Sequence, residues 1–284
     1  MTRTTTTVLA VAVGGLLGLP TVASAASYGG GGITFAKSAS AKPIVQGTAV
    51  AVHTSGSTAT ISIGAISPRC RDIQFQARKA TVSGSGAVGF RGTLRGSGFR
   101  LQASVALKPT GPGKLAGSLR ITGTLQVGKA KANCRMTQHL ELRDPGAVLA
   151  ALPQDVLPTE PKSIPAVYGT TDQKLARSLT GAVVVARRPD GRLQALTSGR
   201  LRCNRRTGPE AMGFVYPFAL RESGGFSGRQ LQSAKVAGGR FVYDIKVSGA
   251  YDSETPSATG ESSLAISQPG VTCSSGSQSW IATT

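Results

Sequence analysis

Short runs of apolar residues alternate with polar ones along most of the chain after residue 25, and Gly, Ser, Asn and Asp separate the runs. A period of two is typical of a β-strand with one buried face. No segment sustains the 3.6-residue period of an amphipathic helix. The pattern therefore predicts an all-β protein, with strands at 59–66, 73–81, 99–107, 114–127, 192–203, 214–220, 240–247 and 262–267.

The two halves of the chain carry similar patterns, which indicates an internal repeat. The stretch "TAVAVHTSGSTATISIGAISPRC" at 48–70 aligns without a gap with "GAVVVARRPDGRLQALTSGRLRC" at 181–203, so that Ile63 meets Leu196. "GSGFRLQASVAL" at 96–107 resembles "GGRFVYDIKVSG" at 238–249. A repeat this long favours tandem domains over a solenoid. We predict two antiparallel β-sandwich or flattened-barrel domains, at 27–142 and 167–284, with roughly seven to ten strands each. "RRPDGRL" and "HTSGST" would be equivalent hairpin turns.

The ends of these domains have their own signals. The first residues combine a short polar start with Arg3, an apolar run at 8–19 and the small-residue triplet Ala-Ser-Ala at 23–25. The run is shorter than the roughly 20 residues that span a membrane, so we predict a signal peptide at 1–25, a secreted mature chain in the extracellular or cell-envelope space, and no later transmembrane segment. Residues 143–166 hold five of the fifteen prolines. They predict a semi-rigid linker, with one or two helical turns at "GAVLAAL".

All four cysteines follow the predicted signal peptide, and an even number in an oxidising compartment indicates disulfides. Four cysteines allow three pairings. The repeat favours one bond within each copy, Cys70 to Cys134 and Cys203 to Cys273, against bonds between the halves or free thiols. Each loop closed in this way would contribute about 4 kcal/mol in the chain-entropy model.

No motif in the chain indicates catalysis. The only histidines, His53 and His139, have no accompanying cluster of metal ligands or catalytic partners, so surface or strand positions are favoured for both. "GSGAVG" at 84–89 is followed by strand-like residues and indicates a glycine-rich turn. Trp280 is interpreted as a core residue rather than a sugar platform. We therefore expect no catalytic residue, no metal, no cofactor and no enzymatic activity.

Charge is the chain's most unusual property, with a formal net charge of +19. Residues 27–142 contain fifteen basic and two acidic residues, whereas residues 167–284 contain fourteen and eight. Such a field would attract acidic envelope polymers, extracellular nucleic acid or anionic lipid heads. The competing interpretation is that arginine keeps the protein soluble and its sheet edges unpaired.

Strand alternation predicts that Leu201 and Cys203 point into the core while Arg200 and Arg202 point to solvent, with Arg69 and Arg71 placed similarly in the first copy. The candidate polyanion contacts are Arg69, Arg71, Arg78, Lys79, Arg91, Arg95, Arg200, Arg202, Arg205 and Arg206.

The second half carries an Arg-Cys pair at 202–203, "GGRF" at 238–241 and "CSSG" at 273–276, followed by Trp280. In these features it resembles a family of uncharacterised secreted all-β repeats of high-GC bacteria. The first half departs from that pattern, with Glu141 where tryptophan is expected. The resemblance implies an all-β fold and no particular activity.

These observations predict an exported, non-enzymatic protein with a structural or adhesive role at or outside the cell envelope. It would contact polyanions through its basic first domain. The alternative is a hydrolase of an envelope polymer with its site between the domains, in which Asp244 or Glu261 would be needed.

Overall fold

The computed structural model of the chain describes residues 25–35, 46–68, 70–96, 99–127, 130–152, 166–172, 181–204, 206–236 and 239–284. Residues 1–24 of the predicted signal peptide lie outside these ranges, and so do residues 153–165 of the predicted linker. Almost all of the described backbone belongs to antiparallel strands, which form two separate sheets. The prediction of an all-β chain with two tandem β domains is confirmed.

The first sheet is a closed barrel of eight strands. Each strand pairs with the next along the chain, and β1 also pairs with β8 through Gly29, Gly30 and Gly31. The strands are β1 (Ser27–Thr34), β2 (Gln46–Ser55), β3 (Thr58–Ser67), β4 (Arg71–Val82), β5 (Val88–Gly96), β6 (Phe99–Gly111), β7 (Lys114–Val127) and β8 (Ala130–Arg143).

The second sheet contains nine strands in the order β12-β11-β10-β9-β17-β15-β14-β13, with β16 paired to both β11 and β15. Through β16, the strands β11, β10, β9, β17 and β15 close into a ring. The strands are β9 (Ala166–Asp172), β10 (Gly181–Arg187), β11 (Leu193–Cys203), β12 (Arg206–Phe218), β13 (Gly225–Val236), β14 (Gly239–Asp252), β15 (Ser257–Gln268), β16 (Val271–Ser274) and β17 (Gln278–Thr283).

The two sheets share one order of strands. Reading from β1, the first sheet runs β2-β3-β4 to one side and β8-β7-β6-β5 to the other. Reading from β9, the second runs β10-β11-β12 and β17-β15-β14-β13. The second sheet therefore uses β16 and β17 where the first uses β8 alone.

The gapless alignment of the two halves is wrong within β3 and β11. Ile63 lies in the core of the first barrel, whereas Leu196 lies in a cluster outside the second barrel. The cause is the preceding hairpin. The predicted turn in "RRPDGRL" is present, with the Gly191 amide donating to the Arg188 carbonyl (2.9 Å), but it is longer than its counterpart after Ser55. A one-residue shift in a strand exchanges its two faces.

Each barrel has an apolar interior closed by one disulfide. Cys70–Cys134 and Cys203–Cys273 are both formed, so the predicted pairing is confirmed. The second interior includes Trp280, which is 3% exposed and stacks on Phe226 with ring centroids 5.9 Å apart. Trp280 is therefore a core residue, as predicted.

The barrels pack against each other through the outer sides of β1–β3 and β9–β11. A separate apolar cluster fills this interface, comprising Ala49, Ala51, Ala182, Val184 and Leu196. The main chains approach so closely that a Cβ built on Gly29 would overlap the carbonyl group of Gly169. Small residues permit this contact, because larger side chains would hold the strands apart.

The chain between the barrels begins with a short helix, α1 (Pro145–Ala150), whose N-cap Asp144 accepts a hydrogen bond from the Ala147 amide (3.3 Å). Just before it, the buried Arg143 forms an ion pair with Glu141 (2.9 Å). Its guanidinium also donates to the Thr284 carbonyl (3.1 Å) and stacks on the Tyr168 ring. Arg143 thus links β8 to the second barrel.

A candidate polyanion-binding face on the first barrel

Strands β5–β8 turn their apolar side chains into the first barrel and their polar side chains to solvent. In β6, Leu101, Ala103 and Val105 are buried, while Arg100 and Gln102 in the alternate positions are exposed. The same alternation continues in β7 and β8. The outer side of these four strands is therefore a continuous polar surface.

Residues directly opposite each other in antiparallel strands point to the same side of the sheet, so the register assigns this surface to rows. The first row is Arg91, Ser104, Arg120 and Thr137; the second is Thr93, Gln102, Thr122 and Arg135; the third contains Arg100, Thr124 and Asn133. Lys131 follows on β8, opposite Gln126. We call these rows together with Lys131 the basic face.

The register brings the basic groups within reach of one extended ligand. Adjacent strands lie about 4.8 Å apart, and successive outward residues on a strand lie about 6.8 Å apart. The backbones of Arg91 and Arg120 are therefore about 10 Å apart, and those of Arg120 and Arg135 about 8 Å. Flexible arginine side chains at these spacings can contact the same ligand.

No carboxylate neutralises the basic face within the part of the chain that the structure describes. Of the two acidic residues in 27–142, Glu141 lies two rows from Arg120 on β8. Its carboxylate is already paired with Arg143 (2.9 Å) and His139 (3.2 Å). Asp72 belongs to β4, outside these four strands, and its side chain is not described. The face therefore presents one sign of charge, which concentrates a positive field above it.

The corresponding strands of the second barrel carry mixed charges. Arg229 on β13 donates two hydrogen bonds of 2.8 Å to Asp244 on β14. These bonds, aided by the Arg229 and Lys246 charges, hold the pKa of Asp244 below its usual value. Glu261 on β15 adds a further carboxylate, which accepts from the Ser277 hydroxyl (3.2 Å). On these strands, carboxylates of the protein itself lie beside its basic side chains.

The predicted contact residues are divided between the barrels. Arg91 lies on the basic face, and Lys79 is exposed on the neighbouring β4. Arg202 is exposed on β11 of the second barrel, so the structure does not place it on the basic face. Arg71, Arg78, Arg95 and Arg206 have described strand backbones but no described side chains, and Arg69 and Arg205 lie outside the described residues.

The predicted alternation around Cys203 is confirmed for three residues. Leu201 is buried, Cys203 packs against the core and Arg202 is exposed. Arg200, predicted to point to solvent, is half-buried. A β-bulge between Arg200 and Arg202 interrupts the regular alternation there.

Four basic residues of the face are missing from the predicted contacts: Arg100, Arg120, Lys131 and Arg135. The sequence does indicate that three of them point to solvent. Arg100 and Arg120 occupy polar positions of the predicted strands 99–107 and 114–127, and Arg135 follows a core cysteine. What the sequence could not supply is the register that joins the strands into rows.

The residues considered for catalysis lie apart from one another. His53 is half-buried and bonds the Ser27 hydroxyl (2.9 Å), while His139 is exposed beside Glu141. Asp244 and Glu261 lie on β14 and β15, which are not the strands that form the interface between the barrels.

No protein-family model and no curated protein matches the chain. Among solved structures, the crystal structure of CghA with Sch210972 aligns with 91% of this chain and 88% of that chain, at 9% sequence identity and a TM-score of 0.24. A TM-score this low supports no inference about fold or function. Among the described residues, none of the helices has the length and apolar character needed to cross a membrane.

Proposed function

We propose that the protein is an exported, non-enzymatic β protein that has a structural or adhesive role at or outside the cell envelope, and that it binds acidic polymers through the basic face. The observation that carries this proposal is the set of Arg91, Arg100, Arg120, Lys131 and Arg135 on four adjacent strands, without a carboxylate partner among the described residues. A polyanion would release its counterions on meeting this face, which favours binding at low salt.

The balance of charge supports binding over solubility alone. Residues 27–142 contain fifteen basic and two acidic residues, whereas the second barrel pairs Arg229 on β13 with Asp244 on β14. An anionic ligand would supply the counter-charge that the described carboxylates do not give the basic face.

The test is chromatography of the oxidised, exported chain on immobilised heparin over a salt gradient. The test variant is Arg91→Gln/Arg120→Gln/Arg135→Gln. The matched control, Lys235→Gln/Arg240→Gln/Lys246→Gln, removes three exposed charges from the second barrel. We expect the test variant to elute at clearly lower salt, with the salt slope of binding reduced by about one unit per lost contact. The control should elute close to the unmodified protein.

Two outcomes would contradict the proposal. If both variants shift equally, retention reflects total charge rather than the basic face. If the unmodified protein itself elutes at low salt, it does not bind polyanions usefully. Equal thermal unfolding midpoints for the three proteins would show that a shift in elution is not caused by misfolding.

A further inference from the structure

The uncharged residues of the basic face are hydrogen-bonding side chains. The second row places Thr93, Gln102 and Thr122 side by side on β5, β6 and β7. Thr93 and Gln102 already bond each other in the free protein, at 2.9 and 3.1 Å, and both are exposed. Hydroxyl and amide groups can each donate and accept hydrogen bonds. The row can therefore exchange these bonds for bonds to a ligand that carries hydroxyl groups.

Charge flanks this row on both sides. Arg91 and Arg120 lie one row away in one direction, Arg100 lies one row away in the other, and Arg135 ends the row itself on β8. Each step between rows is about 6.8 Å. A polymer laid across the strands along this row would meet neutral hydrogen-bonding groups beneath it and guanidinium groups on either side.

The same surface fits other polyanions less well. Proteins that hold single-stranded nucleic acid stack its bases on aromatic rings. None of the described side chains of the basic face is aromatic, and Phe90 on β5 packs against the barrel core instead. Attraction of anionic lipid heads rests mainly on clustered basic charge, so it does not account for the row of amide and hydroxyl groups between the arginines.

We propose that the ligand is an acidic polysaccharide, a chain of sugars bearing carboxylate or sulfate groups. It lies across β5–β8 along the Thr93–Gln102–Thr122 row, with its hydroxyl groups bound by that row and its anionic groups bound by the flanking arginines. This inference rests on the proposed function and specifies the ligand of the same face.

The experiment compares two polymers of matched charge in titrations at fixed salt. Polygalacturonate carries carboxylates and hydroxyl groups, whereas polyphosphate carries charge without hydroxyl groups. The test variant Thr93→Val/Gln102→Ala/Thr122→Val leaves the protein's charge unchanged. Its control, Thr259→Val/Gln268→Ala, makes similar changes at exposed positions of the second barrel.

We expect the row variant to weaken polygalacturonate binding about tenfold, the effect of losing one or two net hydrogen bonds, and to change polyphosphate binding less than twofold. The control should change neither. The inference is overturned if the row variant leaves polygalacturonate binding intact or weakens both polymers equally. It is also overturned if single-stranded DNA or vesicles containing phosphatidylglycerol bind more tightly than polygalacturonate at the same salt.

The arginine variant separates this inference from the proposed function. If Arg91→Gln/Arg120→Gln/Arg135→Gln weakens both polymers while the row variant weakens neither, the basic face binds polyanions and the assignment to sugars is wrong. If the arginine variant weakens neither polymer, the proposed function itself fails.

Discussion

Replacing Gly29 by alanine tests the contact between the two barrels directly. Gly29 lies on β1, and a Cβ at this position would overlap the carbonyl group of Gly169 on β9 and approach the Thr170 Cα to 2.9 Å. All of these are main-chain atoms, so no flexible side chain can move aside. The substitution must shift a strand or separate the barrels.

The expected cost follows from overpacking. Forcing extra carbon atoms into a closely packed site costs about 1–3 kcal/mol. We expect the upper part of that range for Gly29→Ala, because separating the strands would also loosen the apolar cluster around Ala49, Ala182 and Leu196. Urea unfolding of the oxidised protein, followed by circular dichroism, measures the loss.

Gly84→Ala is the matched control. Gly84 lies in the turn between β4 and β5, and a Cβ there has no heavy atom within 4 Å. We expect no loss of stability and a gain of at most about 1 kcal/mol from the restricted unfolded chain. If Gly29→Ala changes the free energy of unfolding by less than about 0.5 kcal/mol, which is typical of a surface substitution, then β1 and β9 do not pack as closely as described. If both variants lose the same amount, the loss reflects glycine chemistry rather than the interface.

Three further predictions concern stability. Cys70→Ser/Cys134→Ser opens the disulfide loop of the first barrel and should lower the free energy of unfolding by about 4 kcal/mol; a loss below about 1 kcal/mol would contradict the chain-entropy account. Gln278 is 0% exposed, and neither its amide nitrogen nor its amide oxygen has a hydrogen-bond partner among the described residues. Gln278→Leu should therefore raise the free energy of unfolding by about 1–2 kcal/mol. A clear decrease would show that the amide makes a hydrogen bond in the folded protein. The hydrogen bonds from Arg229 depress the folded-state pKa of Asp244, so the stability they contribute is present above the unfolded pKa of about 4 and is lost as the pH falls through the folded value. Asp244→Asn should therefore flatten the loss of the urea midpoint on acidification below about pH 4, and an unchanged acid limb would count against this pair.

Sequence reasoning located strands well where apolar alternation is regular. The predicted strand 114–127 coincides with β7, because Leu115, Leu119, Ile121 and Leu125 share one phase of a regular period of two. It failed at β12, which was predicted at 214–220 but begins at Arg206. The apolar pattern is broken there by Gly208 and Pro209. Proline is tolerated in β12 because this strand lies at the end of the sheet order, where one side needs no partner.

The strand β1 was also missed, for a different reason. Its sequence "SYGGGGIT" has no alternation, and four consecutive glycines, which are depleted in strands, fill its centre. The glycines serve a tertiary contact instead, since β1 both closes the first barrel and approaches β9. Such a contact joins residues far apart in the chain and leaves no local signal. The rows of the basic face are hidden for the same reason, because the register between strands is not visible in any one of them.

The packing of the barrels also bears on the choice between binding and solubility. Strands β1, β2 and β3 contain no lysine or arginine, which follows from the burial of their outer sides against the second barrel. Burial of this side explains why the basic residues are displaced to the remaining strands, but it does not explain why acidic residues are absent from β5, β6 and β7. Solubility alone needs no single sign of charge, and a surface of one sign carries a cost of self-repulsion that a mixed surface avoids. The second barrel, with Asp244 beside Arg229 on the corresponding strands, indicates that this arrangement of strands accepts mixed charges. The excess of one sign on the first barrel therefore favours an anionic ligand as the reason for the basic face.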